Sequence, residues 1–348
     1  MLHQVLGRVS LVITLLLLSI SLTAASSSPG STIFPSFRVG SVIVTPTPSH
    51  PGFNPLTASN AALRANGYPE RPHGTKPKWW IQAVSHAHWV YPRFTSHAHH
   101  QPGSPSAVKS TASNASGSDS SNWAGNIDNN GGHFTSIVAQ WTVPSASSPC
   151  DTNVYSSIWP GIGSGQSSSS TLLQAGSEQD ITWEYVQHYG YKSFPTYYLW
   201  WEAYPYNAQQ QINIGVNPSN NIFVNVAYYG NNTAHYYVKN NTTGTTTSFN
   251  ISFSGGFTGY NAEWITERTE ENGSYPPLTN FSQMNFSDAN AAQGSTWKGV
   301  GQWSHYFSVM QDPFNDDTEQ VDAYPGAISG NGFPIYWSHY GDWDAQGT

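Results

Sequence analysis

The sequence is short of three features on which many folds and functions depend. It has one cysteine, Cys150, among 348 residues, so no disulfide can form within the chain. Charged side chains make up only 9% of residues, and after Gly117 four Lys and Arg residues accompany 19 Asp and Glu residues. Beyond residue 25 no stretch is long and apolar enough to cross a bilayer. These absences argue against a disulfide-stapled scaffold, a basic nucleic-acid-binding domain and a membrane-spanning protein.

The first 25 residues have the pattern of a secretory signal peptide. Arg8 precedes the apolar run 11–22, and three small residues follow at 23–25. A charged start, an apolar middle and a small-residue end are typical of a signal that is removed on export. The alternative, a retained membrane anchor, is disfavoured because the run is shorter than the ~20 residues that span a bilayer. We therefore expect a secreted, extracellular protein, and eight Asn-X-Ser/Thr sequences make it a candidate glycoprotein.

Residues 26–117 form a leader that differs in charge from the rest of the chain. Before Gly117 there are eight Lys and Arg residues and one acid, Glu70. A basic leader ahead of an acidic domain predicts a propeptide that binds that domain as an intramolecular inhibitor near neutral pH and is shed in acid. The linker 110–121, rich in Ser, Ala and Gly, is the predicted cleavage region. Nucleic acid is not an expected partner.

The leader is also rich in histidine. Seven of the 13 histidines lie there: His50, His73, His86, His88, His97, His99 and His100. None is paired with cysteine or with a regular carboxylate spacing, so no metal site is predicted. A pH-responsive role is the preferred interpretation, since histidine changes charge between roughly pH 5 and 8.

From Asn122 onward the apolar residues alternate with a period of two. Ile137, Ala139 and Trp141 share one face of a predicted strand, which ends at Pro144. Many such short segments, separated by Gly, Asn, Ser and Pro, predict one all-β domain over 118–348. We expect an antiparallel β-sandwich of jelly-roll, lectin-like type, preceded by a signal peptide and an irregular leader.

Polar side chains interrupt several of these predicted strands. In the segment 262–267, Glu263 and Glu267 are predicted to lie on one strand face. Because buried carboxylates are costly, they indicate a cleft, although a solvated acidic strand remains an alternative. Trp200, Glu202 and Tyr204 share a face of another predicted strand. Either a binding groove or packing in the core explains this pattern.

Gln174 stands in a third such segment, 172–176, where two leucines precede it and Gly176 ends the predicted strand. A buried amide needs hydrogen-bond partners, so Gln174 is unusual for pure packing. Cys150, by contrast, lies in a loop-like segment and is not a predicted nucleophile.

Five segments, in this order, resemble the motifs of the glutamic peptidases, also called eqolisins. They are Ser121–Gly125, Ile158–Ile162, Leu172–Gly176, Trp200–Glu202 with Tyr204–Pro205, and Ala262–Glu267. The resemblance implies an endopeptidase that is made as a zymogen and acts on proteins or peptides in an acidic medium. It implies neither a metal nor an organic cofactor, and no partner beyond substrate and propeptide, so we expect a monomer.

By the same resemblance, Glu267 is the general base for the attacking water and then the acid for the leaving amine. Gln174 donates an amide N–H to the developing oxyanion. The candidate substrate-binding residues are Trp123, Trp159, Glu202 and Tyr204. The chain departs from the family pattern at Gly163, where an Asp is usual, and at Arg268, where an acidic residue is common; either departure could alter subsites or the pH optimum.

Two other functions remain open at this point. A secreted β-jelly-roll glycoside hydrolase could use Glu202 and Glu267 as its two carboxyl groups. A carbohydrate-binding module without activity could use the same aromatic residues. Gln174 distinguishes the first alternative, because a peptidase of this family needs the amide whereas a glycosidase needs a second carboxyl group.

Overall fold

The computed structural model describes residues 34–72, 75–97, 117–129, 133–149, 151–163, 171–271, 273–312 and 320–341, and the backbone alone of 100–101 and 107–108. The predicted signal peptide, most of the predicted cleavage linker and Cys150 lie outside these residues. Within them, no helix is both long and apolar enough to span a membrane.

The described part of the leader forms short strands and two helices. These are β1 (Phe37–Val39), β2 (Val42–Pro46), α1 (Asn60–Ala65), α2 (Lys78–Val84), β3 (His88–Trp89), β4 (Phe94–Ser96), β5 (His100–Gln101) and β6 (Ala107–Val108).

The rest of the chain forms strands only, within the part that the structure describes. They are β7 (Gly117–Ser120), β8 (Trp123–Asn129), β9 (Phe134–Thr142), β10 (Ser157–Gly163), β11 (Leu172–Val186), β12 (Gly190–Tyr204), β13 (Gln210–Ile212), β14 (Asn221–Gly230), β15 (Thr233–Asn240), β16 (Thr245–Ser252), β17 (Asn261–Glu267), β18 (Glu270–Glu271), β19 (Gln283–Gln293), β20 (Thr296–Gly299), β21 (His305–Gln311), β22 (Val321–Pro325) and β23 (Phe333–Trp337).

Two antiparallel sheets pack against each other. The front sheet has the strand order β4-β13-β12-β11-β10-β17-β8-β21-β22. The back sheet has the order β2-β16-β15-β14-β9-β19-β23. Pairing of β22 with β23 joins the sheets at one side. The predicted antiparallel β-sandwich is therefore confirmed.

The main core lies between the sheets and follows the predicted alternation. Ile137, Ala139 and Trp141 of β9 point into it from the back sheet, and Ala175 and Trp264 point into it from the front sheet. Side chains one position along each strand point to the opposite face, because successive residues of a strand alternate. Each sheet therefore has an outer face, formed by the side chains that point away from the main core.

The leader is not irregular, contrary to the prediction, in the part that the structure describes. Helix α1 begins at Ser59, whose side-chain oxygen accepts a hydrogen bond from the amide of Ala62 at 3.2 Å. Both helices lie on the outer face of the back sheet, where Leu63, Trp79 and Trp80 are buried. Strands β2 and β4 extend the back and front sheets.

Candidate active site

The outer face of the front sheet brings Gln174 and Glu202 together. Leu173 and Ala175 of β11 point into the main core, so Gln174 between them points outward. On the neighbouring strand β12, Glu202 is directly opposite Gln174. The side-chain nitrogen Nε2 of Gln174 donates a hydrogen bond to Oε2 of Glu202 at 2.8 Å. The side-chain nitrogen of Gln174 thus has a hydrogen-bond partner, whereas its side-chain oxygen is buried without one among the described residues.

Glu267 lies on the same face, at the end of β17. Oε2 of Glu267 accepts a hydrogen bond from the indole nitrogen of Trp159 at 2.8 Å. Oε1 accepts one from the side-chain amide of Asn122 at 3.2 Å. Each carboxyl oxygen therefore has a fixed donor, and these two donors orient the group.

Strand β10 lies between β11 and β17 and forms the floor between the two predicted catalytic residues. Its Gly161 is paired with Gln174, and its Ser157 with Glu267. Gly161 has no side chain, so nothing from this position projects between β11 and β17. The charge of Glu267 is one of the causes that raise the pKa of Glu202, which indicates that the two carboxyl groups lie within electrostatic reach.

Burial keeps Glu202 protonated in acid. Desolvation is the main cause that raises its pKa well above the ordinary value, and the charge of Glu267 raises it further. The hydrogen bond from Gln174 acts in the opposite direction and does not outweigh burial. A neutral Glu202 can hold one N–H of Gln174 while the second N–H stays available.

The aromatic residues predicted for the groove lie beside these groups. Trp123 and Trp159 make an edge-to-face contact with ring centroids 5.1 Å apart. Both belong to a small apolar cluster on this outer face, against which the half-buried Tyr204 packs. All six predicted site residues therefore lie on this outer face, around one floor.

In the full-length chain this site is closed to solvent. Gln174, Glu267 and Glu202 are 0%, 1% and 2% exposed. The leader reaches the same face: the ring of His97 stacks on Tyr198 of β12 with centroids 4.5 Å apart. The outer face of a two-sheet sandwich is ordinarily accessible, so the burial of polar groups here indicates a covered site.

Two further carboxyl groups on this face were missed by the sequence analysis. Glu178 and Asp180 follow Gln174 along β11 at even spacings, so they share its face, and both are buried. Oε1 of Glu178 accepts a hydrogen bond from the hydroxyl of Thr269 at 2.6 Å. Burial is the main cause that raises the pKa of both carboxyls, and the charge of Glu178 raises that of Asp180 further.

The signal for this acidic pair was present in the sequence but was misread. Gly176 was interpreted as the end of the strand, whereas β11 runs on to Val186. A side chain at Gly176 would clash with the carbonyl oxygen of Ile158, so this glycine permits close packing between strands and does not stop one. Asn122 was also missed as a partner of Glu267, although it stands in one of the recognised motifs.

The two departures from the family pattern have structural explanations. Gly163 has φ = +126°, and a side chain there would clash with the carbonyl of Thr171, so this backbone requires glycine. Arg268 is buried, its Nη1 lies 3.3 Å from Oδ2 of Asp322 and its Nε donates to the carbonyl of Pro276 at 2.8 Å. Arg268 thus links β17 to the C-terminal strands.

The side chains of the described residues do not form a metal site. No group of three or more His, Cys, Asp or Glu residues among them is arranged to hold an ion.

Comparison with known proteins places the chain in a family. The sequence profile of the Peptidase A4 family matches residues 121–314. Aspergillopepsin-2 of Aspergillus niger is 26% identical over 200 residues, which cover 52% of this chain and 67% of that protein. A crystal structure of scytalido-glutamic peptidase with a transition state analog inhibitor is 23% identical, with a TM-score of 0.50 over 63% of this chain and 98% of that one.

A crystal structure of aspergilloglutamic peptidase from Aspergillus niger is 24% identical, with a TM-score of 0.42 over 53% of this chain and 99% of that one. Because the family profile covers more than half of the sequence, the choice between a peptidase, a glycoside hydrolase and a carbohydrate-binding module is decided. The chain belongs to the Peptidase A4 family, the glutamic peptidases, and is a glutamic endopeptidase.

Proposed function

We propose that the chain is the precursor of a secreted, acid-active endopeptidase in which Glu267 and Gln174 carry the reaction. The observation that supports this most directly is the cluster of Gln174, Glu202 and Glu267 on one outer sheet face, with a hydrogen-bond donor fixed on each oxygen of Glu267. A carboxyl group and an amide, both held in place, are the two groups that acid hydrolysis of a peptide needs.

In the proposed reaction, the carboxylate of Glu267 takes a proton from water as the water oxygen attacks the scissile carbonyl carbon. The carbonyl oxygen becomes an oxyanion in the tetrahedral intermediate, and the free N–H of Gln174 donates a hydrogen bond to it. Glu267 then returns its proton to the leaving nitrogen as the C–N bond breaks. Trp159 and Asn122 orient Glu267 throughout, through their two N–H donors.

Glu202 acts as a positioning residue in this account. Its raised pKa keeps it neutral in acid, and the hydrogen bond from Nε2 of Gln174 fixes the amide plane. As the pH rises through this raised pKa, Glu202 becomes a buried anion near Glu267. The site therefore favours acidic conditions, because the amide does not titrate and the neutral form of Glu202 is retained there.

The leader is proposed to keep the precursor inactive. All three reacting or positioning groups are buried in the full-length chain. The described leader residues flank the site: His97 stacks on Tyr198, and the backbone of β5 pairs with β18, which begins three residues after Glu267. Cleavage in the linker 110–121 is proposed to release this contact. The expected substrates are proteins and peptides, and the expected state is a monomer.

The test is hydrolysis of an unfolded protein at about pH 3 by acid-matured wild type and by Glu267→Gln. We expect the variant to lose a factor of ~10²–10⁴, the range of general acid–base catalysis. Glu184→Gln is the matched control, since Glu184 is an exposed carboxyl on the same strand as Gln174. Equal loss in both variants, or none in Glu267→Gln when both are folded by circular dichroism, would refute the assignment.

A further inference from the structure

The outer face of the back sheet has an apolar centre, which the leader covers. Val138, Phe223 and Tyr237 point outward from β9, β14 and β15 and are buried. Helix α2 of the leader covers them: the ring of Trp79 stacks on Phe223 with centroids 6.1 Å apart, and Trp80 is buried beside it. Removing the leader would expose a continuous patch of aromatic surface to water.

Polar contacts also join the leader to this face. The ammonium of Lys239 donates to the carbonyls of Gln82 and Ala83 at 3.0 and 3.1 Å, and also to that of Ser85. The hydroxyl of Tyr237 donates to the carbonyl of Ala83 at 2.7 Å. These carbonyls stand at the C-terminal end of α2, where a cation is favourable and where carbonyls lack partners within the helix.

The leader also completes the main core of the sandwich. Val42 and Val44 of β2 are fully buried in that core, and β2 pairs with β16 as the next strand of the back sheet. Phe94 of β4 closes the gap between the sheets, with its ring 5.2 Å from Trp201 and 5.0 Å from Phe249. Loss of the leader would therefore open the core as well as the outer face.

Few contacts on this side depend on pH. Lys78 acts electrostatically on Asp288. His86 and His88 line a pocket together with Lys239. His235 lies under the leader near Arg64. The remaining contacts include apolar, backbone, hydroxyl and cation-to-carbonyl contacts and the stacking of Arg64 on Tyr229, none of which acid removes. On the active-site side, by contrast, the leader itself contributes His97, which stacks on Tyr198, and its strand β5 pairs with the segment Glu270–Glu271.

We infer that residues 34–96 of the leader stay bound to the back sheet and to the core after the linker is cut, so that the mature enzyme consists of two non-covalently associated chains. Only the contacts that follow, from His97 onward, have to be released to open the active site. The inference rests on the proposed maturation only for when the linker is cut. The interface between the leader and the back sheet does not depend on catalysis. On this inference, acid releases only the part of the leader that begins at His97, and not the whole leader as expected from the sequence.

The test uses the full-length chain with an inactive site. Residues 110–116 are replaced by the recognition sequence of a site-specific protease in the Glu267→Gln background, and that protease makes the cut. Gel filtration and intact-mass analysis then follow at pH 7 and at about pH 4. We expect the two fragments to co-elute in a one-to-one ratio at both pH values. A leader fragment that separates at pH 4 from a still folded domain would overturn the inference.

Because the added protease makes the cut, failure of the proposed catalysis leaves this result unaffected. A matched pair of variants locates the surface: Trp80→Ala removes a buried ring, and Ile81→Ala alters its neighbour in the same helix, which is 38% exposed. We expect at least tenfold faster release of the leader from Trp80→Ala and no change from Ile81→Ala. If Trp80→Ala does not fold, Lys239→Met replaces it. Release from the chosen variant at the wild-type rate would contradict the assigned surface.

Discussion

The two outer faces of the sandwich are built by the same strand alternation but differ in the groups at their centres. On the back sheet the outward positions include the apolar residues Val138, Phe223 and Tyr237, and on the front sheet they include Gln174 and Glu267. Both faces are buried in the full-length chain. An apolar face gains stability from a permanent cover, whereas a buried polar face destabilises the fold and is useful only if its cover can leave. Different segments of the leader cover the two faces. Helices α1 and α2 cover the back face, and the segment around His97 reaches the front face.

This comparison predicts that substitutions on the two faces separate stability from activity. The largest effect is expected for Phe223→Ala on the back face. Truncating a buried Phe costs about 3–5 kcal/mol of folding free energy, and the activity of the molecules that remain folded should be unchanged. Phe194→Ala is the control, since Phe194 is an exposed phenylalanine on β12. Urea unfolding at pH 5 measures the stability of both variants. Equal unfolding midpoints for Phe223→Ala and Phe194→Ala would contradict the prediction.

The counterpart on the front face is Gln174→Ala. Loss of the proposed oxyanion donor should lower kcat by ~10²–10³, with little change in the unfolding midpoint. Steady-state kinetics on a peptide substrate at about pH 3 measures this, with Gln283→Ala as a control at an exposed glutamine on β19. A loss of stability that accounts for the lost activity would show that Gln174 is structural.

His235 is a buried acid-sensitive group of the back face. Burial is the main cause that lowers its pKa from 6.5 to about 4. Because the unfolded chain binds the proton more readily, stability is fully present above about pH 6.5 and is lost as the pH falls toward 4, by up to roughly 3 kcal/mol. In His235→Gln this loss should be absent.

Thermal unfolding at pH 7 and pH 4, in the Glu267→Gln background, measures the effect. His305→Gln is the control because His305 is exposed. If wild type and His235→Gln lose the same stability between the two pH values, the back face is not where acid acts.

The smallest effect is expected for Glu202→Gln. Its raised pKa means that the neutral form is the native one below that pKa, and that both stability and activity fall as the pH rises through it. A neutral amide at this position should move the alkaline limb of the activity profile to higher pH. Near the optimum the loss should be about tenfold or less, because only the orientation of Gln174 is affected. An unchanged alkaline limb would assign that limb to another group.

The sequence predicted the strands of the enzyme domain because each one carries the alternation that burial of one face imposes. Ile137, Ala139 and Trp141 are an example, and all three lie in the core. The leader helices were missed because they have only six and seven residues, too few for a helical period to be visible. Their stability comes from contacts with β14 and β15, more than 100 residues away in the sequence.

The candidate site residues were predictable to the extent that they stand in motifs. Gln174, Glu202 and Glu267 were identified in this way, and their positions on one face follow from strand alternation. Glu178 and Asp180 were missed because Gly176 was read as a strand end. The role of that glycine depends on how closely β10 approaches β11, which is a tertiary contact that no local pattern contains.

Tryptophan labelling tests the contrast between the two covers most directly. Trp80 of the leader and Trp159 of the candidate active site are both fully buried in the full-length chain. Oxidative labelling with mass spectrometry, before and after acid maturation, should show Trp159 becoming reactive while Trp80 stays protected. If both become reactive, the leader leaves as a whole; if neither does, the active site has not opened. Either result would contradict the account.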